Sequence, residues 1–299
     1  MESERNERWE ELSGGTSLLT TIFEDQVPIE KYISIEITET IDFSSLYRQV
    51  EQALPIEWFT SLADESSHNY YEEFSASPIL SSISERAKRK IWADTPRTFD
   101  LFSRKSNEIA SLLSSNETIS LFRTILCRIL CTSSILLGGW YCQGMAFVAG
   151  SCMLYFKELN TGDLNSISQQ RLGIYSCGLF HYCLMKENHI EALYRNSVLL
   201  SAYMSELAYQ LAKHPITASV YNHMTSIGFT VHYFALEWFT ACYLLNVSHK
   251  TSLLIHDILF YGTPDKRNDL LLKVGVSIIS SLSPRLLEYT CKSSFLFSD

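Results

Sequence analysis

At 299 residues with 46% hydrophobic content, the chain can bury a large core, as one big domain or as two lobes. Its net charge of −9 and pI near 5.4 leave no basic surplus to displace counterions, which excludes nucleic acid as a main partner. The opening Met1-Glu2-Ser3-Glu4-Arg5-Asn6-Glu7 is charged and has no apolar run, so no secretory signal is expected there.

Residues 1–50 read as an N-terminal extension, in which Ile33-Ser34-Ile35-Glu36-Ile37-Thr38 alternates with period two and predicts a short strand. From Phe43 to Leu62 the pattern is helical, with Leu46, Val50 and Leu54 spaced by four. Ser75-Ala76-Ser77-Pro78 reads as a loop. Ser84 to Lys90 reads as a basic turn, its four cations either a solvated face or a local attraction for an anionic partner. In Ile91-Trp92-Ala93-Asp94-Thr95-Pro96-Arg97-Thr98-Phe99, the proline predicts an extended chain ahead of it. Asp94 or Thr95 would cap a helix opened by Pro96, with Arg97 in its first turn. The helix dipole disfavours an arginine there, and Asp94 offsets that cost and orients the guanidinium.

Amphipathic helices are predicted over Phe99–Leu112 and Ile119–Leu130, the second with Leu121, Ile125, Ile129 and Leu130 as its apolar stripe. Ser133 to Phe156 carries no charge and is long enough to span a bilayer. Gln143, the Gly138-Gly139 pair and the lack of flanking positive clusters favour a turn followed by a buried central helix. Asn160-Thr161-Gly162-Asp163 breaks the pattern and is the expected joint between lobes. Beyond it, Ile174–Met185 and Ile190–Leu211 read as amphipathic helices, the latter ended by His214-Pro215. The eight cysteines form no C-x-x-C and are expected as reduced core thiols. Cys127 and Cys131 lie one helical turn apart without a second ligand pair, so no zinc site is expected. His181 and His189 near Cys177 and Cys183 are read as packing or surface groups rather than a thiol–imidazole pair.

Two boxes carry chemistry: Ile91, Asp94, Arg97 and Thr98, then Tyr141, Gln143, Gly144 and Met145, with Gln143 46 residues after Arg97. The pattern I-x-x-D-x-x-R-T followed by Y-x-Q-G-M resembles the TBC domain of Rab GTPase-activating proteins. The likeness continues through Trp58 with Tyr70-Tyr71-Glu72-Glu73-Phe74, through Tyr233 to Phe239, and through Ile255 to Gly262. It departs from the family pattern at Leu54, where an arginine is usual, at Ala146, where an asparagine is common, and at His256, which replaces a tryptophan.

This resemblance implies an all-α, two-lobed fold with an N-terminal lobe over 51–162 and a C-terminal helical lobe over 163–299. It implies Arg97 as an arginine finger and Gln143 as a glutamine finger that positions water, both supplied in trans to a GTP-bound Rab-type GTPase. Asp94 would orient Arg97, Thr98 and Met145 would support the boxes, Tyr141 would shape the glutamine loop, and Gly144 would allow close backbone approach. GTP and Mg²⁺ would belong to the partner, and this chain would need no cofactor or metal of its own. The expected location is the cytoplasm and the cytoplasmic face of endomembranes, peripheral at most. The alternative that the three departures leave open is a Rab-binding scaffold without activity. No Walker-type phosphate loop is present, so the chain is not itself the GTPase.

Overall fold

In the computed structural model, the described residues are 41–59, 74–105, 107–112, 115–159, 169–261 and 264–288. The strand predicted over Ile33–Thr38, the Tyr70–Glu73 continuation and the Asn160–Asp163 joint lie outside them. Every regular element among the described residues is helical, as the all-α expectation requires. In chain order they are α1 (Phe43–Ala53), α2 (Glu85–Lys105), α3 (Asn107–Leu112), α4 (Asn116–Leu136), α5 (Met145–Leu159) and α6 (Gln169–Cys177). A π-helical segment (Gly178–Glu187) follows, then α7 (Ile190–Arg195), α8 (Ser197–Lys213), α9 (Ala218–Ser226), α10 (His232–Thr240), α11 (His249–Tyr261) and α12 (Pro264–Leu286). The chain divides into two compact units. One holds Glu39–Glu191 with Leu259–Tyr261, and the other holds Ala192–Ile258 with the described part of the chain after Gly262.

Helix α4 is the centre of the first unit, packing against α2, α5 and α6. Ser115 caps it by accepting a hydrogen bond from Thr118 N at 3.1 Å. The expected apolar stripe is instead a buried belt, because every residue from Thr124 to Ser134 is enclosed. That burial explains why α4 is long and apolar enough to cross a membrane: 67% of its most apolar window lies inside the protein. The uncharged run Ser133–Phe156 is split, with α4 ending at Leu136 and α5 beginning at Met145. Between them Gly139 N donates to Ser134 O at 2.8 Å and Gly138 N to Ile135 O at 2.9 Å, closing the helix end in the turn that the glycine pair predicts.

Three predicted boundaries are corrected. Pro96 does not open a helix: α2 runs unbroken from Glu85 through it, so Asp94 and Thr95 are not caps and the basic stretch Glu85–Lys90 is helix, not turn. Proline here removes a backbone donor, which in a helix interior costs about 3 kcal/mol. Two side chains add bonds around it, Thr95 Oγ1 donating to Ile91 O at 2.8 Å and Thr98 Oγ1 to Asp94 O at 2.9 Å. The helix persists because Ile91, Thr95, Thr98, Phe99 and Phe102 form one buried face across the proline. Second, Ile190–Leu211 is two helices, since Asn196 Oδ1 accepts from Val198 N and Leu199 N, both at 3.0 Å, and starts α8 afresh. Third, Ile174–Met185 opens as α6 and widens into the π segment from Gly178. Pro215 ends α8 as predicted, with His214 extended behind it.

The second unit is rich in aromatic rings: Phe234 lies 4.5 Å from Trp238, and Trp238 lies 5.2 Å from Tyr243, all fully buried. His256, the departure from the tryptophan pattern, is a satisfied core residue whose Nδ1 donates to Ser252 O at 2.8 Å. Cysteines 127, 131, 142, 152, 177, 183 and 242 are free thiols, and burial pushes Cys242 up to about 12. His181 pairs through Nδ1 with Ser133 Oγ at 2.9 Å rather than with a thiol.

Candidate functional site

Helical periodicity decides which residues of α2 meet solvent. Ile91, Asp94, Thr95 and Thr98 turn inward, while Ala93, Arg97 and Asp100 turn outward. Arg97 therefore leaves the middle of a rigid helix with its side chain 69% exposed. Its Nη1 stands 3.7 Å from Asp94 Oδ1, one turn back on the same helix. At that distance and exposure the pair contributes little to stability. It biases where the guanidinium points and leaves its donors open.

Asp94 has a second role that the spacing of the two boxes did not reveal. Its other oxygen, Oδ2, accepts a hydrogen bond from Tyr141 Oη at 2.8 Å, inside the protein. One carboxylate thus touches the arginine box with one oxygen and the glutamine box with the other. Burial raises the Asp94 carboxyl above its ordinary value, opposed by the Tyr141 hydrogen bond and then by the charges of Arg97 and Lys90.

Two residues after Tyr141, Gln143 is exposed in the loop that enters α5. That loop is held tightly on both sides. Met145 Sδ accepts from Cys142 N at 3.3 Å, Met145 N donates to Cys142 O at 3.2 Å, and Met145 is fully buried. Gly144 sits at φ +102°, a conformation that side chains disfavour, so the turn that lifts Gln143 outward needs glycine. Helix α5 then lies hard against α2: a Cβ at Gly150 would come within 2.7 Å of Phe102 Cε2 and 3.0 Å of Thr98 Cγ2. A glycine inside an apolar helix is the usual sign of such an approach.

The predicted site residues all fall in one unit, and the bond between Asp94 and Tyr141 joins their two boxes. Arg97 and Gln143 are exposed, whereas Asp94, Thr98, Tyr141, Gly144 and Met145 are buried beneath them. Ala146 is buried in the first turn of α5. Leu54 is a buried apolar residue at the end of α1. Near it Trp58 donates from Nε1 to Arg128 O at 3.4 Å, and the Arg128 guanidinium lies 5.5 Å from the Trp58 ring. A cation thus reaches Trp58 from α4, which no local spacing around Leu54 could show. Among the described residues no group of three or more histidine, cysteine or acidic side chains could hold a metal ion.

Among the described residues, all of whose regular elements are helical, an exposed arginine and an exposed carboxamide thus flank one buried aspartate–tyrosine bond. Residues 47–287 match the Rab-GTPase-TBC domain family, and the chain belongs to it. That family is, in general, one of activators of Rab GTPases. No curated protein and no solved structure matches the chain.

Proposed function

We propose that this protein accelerates GTP hydrolysis by a GTP-bound Rab-type GTPase, delivering Arg97 and Gln143 in trans. The observation that carries the reading is the Asp94 carboxylate, which contacts Arg97 with one oxygen and anchors the Gln143 loop through Tyr141 with the other. GTP hydrolysis spreads negative charge over the phosphoryl oxygens and needs a well-placed water. A guanidinium stays charged and grips two oxygens at once, which lysine does less well. A carboxamide accepts from water and donates to phosphate, so it can hold the nucleophile in line. A trans arginine contributes ~10³–10⁵ in rate, about 4–7 kcal/mol of barrier. The nucleotide and its Mg²⁺ belong to the partner. Action in the cytoplasm and on the cytoplasmic face of endomembranes is part of the same proposal.

Single-turnover hydrolysis with a panel of GTP-loaded Rabs tests this. Wild type should accelerate at least one Rab, and Arg97→Ala and Gln143→Ala should each remove most of that acceleration while keeping the fold. Leu54, in place of the arginine usual near Trp58, favours a second reading: a scaffold that binds the GTP form without activating it. Binding to GTP-loaded Rabs with an unchanged hydrolysis rate across the panel would establish the scaffold and reject the activator.

A further inference from the structure

Arg97 stands at the middle of a charged line on α2. Lys90 lies seven residues before it and Arg104 seven residues after it, on the same unbroken helix. Seven residues fall about 20° short of two full turns, so the three side chains leave one stripe of the helix. Their stems are about 10 Å apart and the line is about 20 Å long. All three residues are exposed, and Ala93, exposed between Lys90 and Arg97, raises nothing beyond a methyl group. Asp100 is exposed about 60° off the line and offsets part of its charge. Asp94 is buried one turn after Lys90 and one turn before Arg97, and the charges of Arg97 and Lys90 both reach its carboxyl. Ile91, Thr95, Thr98 and Phe102 are buried on the opposite side of α2 and fix this register, so packing holds the cations outward.

We propose that Lys90 and Arg104 draw in and seat an acidic protein surface of the partner GTPase, to either side of the nucleotide that Arg97 meets. The proposal takes its partner from the activator reading and adds the surface that receives it. A rigid helix carries the outer cations about 10 Å to either side of Arg97, so they face the protein around the nucleotide, where carboxylates are their match. That spacing is close to the Debye length of ~8–10 Å at physiological salt, so the three charges act together on an approaching anionic surface. In a chain of net charge −9, this local field turns an acidic partner toward Arg97 while the remaining charge repels it. A line of about 20 Å fits within the ~800 Å² that a standard interface covers on one partner. An anionic membrane lying on the same stripe would cover Arg97, which favours the protein partner. Exposed charges of this kind act mainly on the association rate.

The test uses the full chain and a panel of Rabs loaded with a non-hydrolysable GTP analogue, with association followed by stopped flow at low and high salt. Lys90→Gln with Arg104→Gln should slow association about tenfold at low salt, flatten its salt dependence and leave dissociation nearly unchanged. In stimulated hydrolysis the same variant should raise KM and keep kcat. Arg104→Glu alone, ten residues from Asp94, should slow association in the same way and replaces the double variant should that one fold poorly. Lys213→Gln, exposed on α8 in the other unit, should change association about twofold or less. Wild-type binding without acceleration rejects the activator and leaves this proposal standing. Acceleration with association unaltered in both stripe variants, slowed equally by Lys213→Gln, or with a loss confined to kcat rejects the stripe alone. Binding of no Rab by wild type rejects both. Flotation of wild type with phosphatidylserine vesicles, lost in the double variant while Rab association is unchanged, gives the stripe to a membrane and overturns the proposal.

Discussion

Helices α4 and α10 end in the same hydrogen-bonded turn, made from opposite materials. At the end of α4, Gly138 and Gly139 take φ values of +74° and +83°. At the end of α10, Tyr243 N donates to Trp238 O at 2.8 Å and Cys242 N to Phe239 O at 3.3 Å, with φ of +61° and +49°. Glycine adopts this conformation freely, whereas a residue with a Cβ bears a strain of roughly 1–2 kcal/mol. The α10 turn is held by its surroundings, since Tyr243 is fully buried between Trp238 and Phe239, their centroids 5.2 and 6.0 Å away. The first turn is written locally and leads into the candidate site. The second is imposed by packing and leads only deeper into a core.

The sharpest break in this comparison is functional. Arg97→Ala should cost ~10³-fold or more in Rab-stimulated hydrolysis, by analogy with trans arginines generally, with little change in thermal midpoint. Changes in the α10 turn should alter stability and leave hydrolysis per folded molecule unchanged. Gly139→Ala should then show that the α4 turn serves both ends: its Cβ would collide with the Ser82 carbonyl oxygen, so backbone must shift. We expect a loss of about 3 kcal/mol or more by chemical denaturation, as for other severe backbone clashes, together with slower stimulated hydrolysis as the Gln143 loop moves.

Beneath α4, His181 is buried against Ser133 and held down to about 4, chiefly by burial and then by Lys186. Because the folded value lies below the unfolded one, its neutral form contributes stability above pH ~6.5 that is lost as pH falls toward 4. That loss is on the order of 3 kcal/mol, and His181→Gln should flatten it in urea melts at pH 7 and pH 5.

Tyr141→Phe removes a hydrogen bond that lowers the Asp94 carboxyl, so Asp94 should titrate higher still. Stimulated hydrolysis should fall about tenfold, the equivalent of one charge-assisted hydrogen bond, and its acid limb should move to higher pH. An unmoved acid limb would detach Asp94 from Arg97. The smallest effects return to the turns. A Cβ at Gly138 meets nothing, so Gly138→Ala costs only the backbone strain, about 1 kcal/mol. Cys242→Gly trades relief of the same strain against a lost buried thiol, for a net change of about 1 kcal/mol or less.

Much of the candidate site could be read from the chain because the patterns that suggest it are local. Gly138-Gly139, the Arg97 and Gln143 boxes, and the Pro215 stop each depend on the chemistry of a few neighbouring residues. The expectation of a helix beginning at Pro96 failed because a proline penalty of about 3 kcal/mol is smaller than the burial of Ile91, Phe99 and Phe102 along one continuous face. The long amphipathic reading of Ile190–Leu211 missed Asn196, whose side-chain oxygen outweighs periodicity at that point.

The sequence by itself determined most of the helices among the described residues, the residue types able to meet a phosphate, and the turn that carries Gln143, because propensity, periodicity and glycine act over a few residues. Only the tertiary structure decided that Asp94 serves both boxes, that α5 approaches α2 at Gly150, and that Arg128 comes to Trp58. Those contacts join residues 47, 48 and 70 positions apart. No local preference encodes such pairings, and burial of the apolar faces that separate them brings them together.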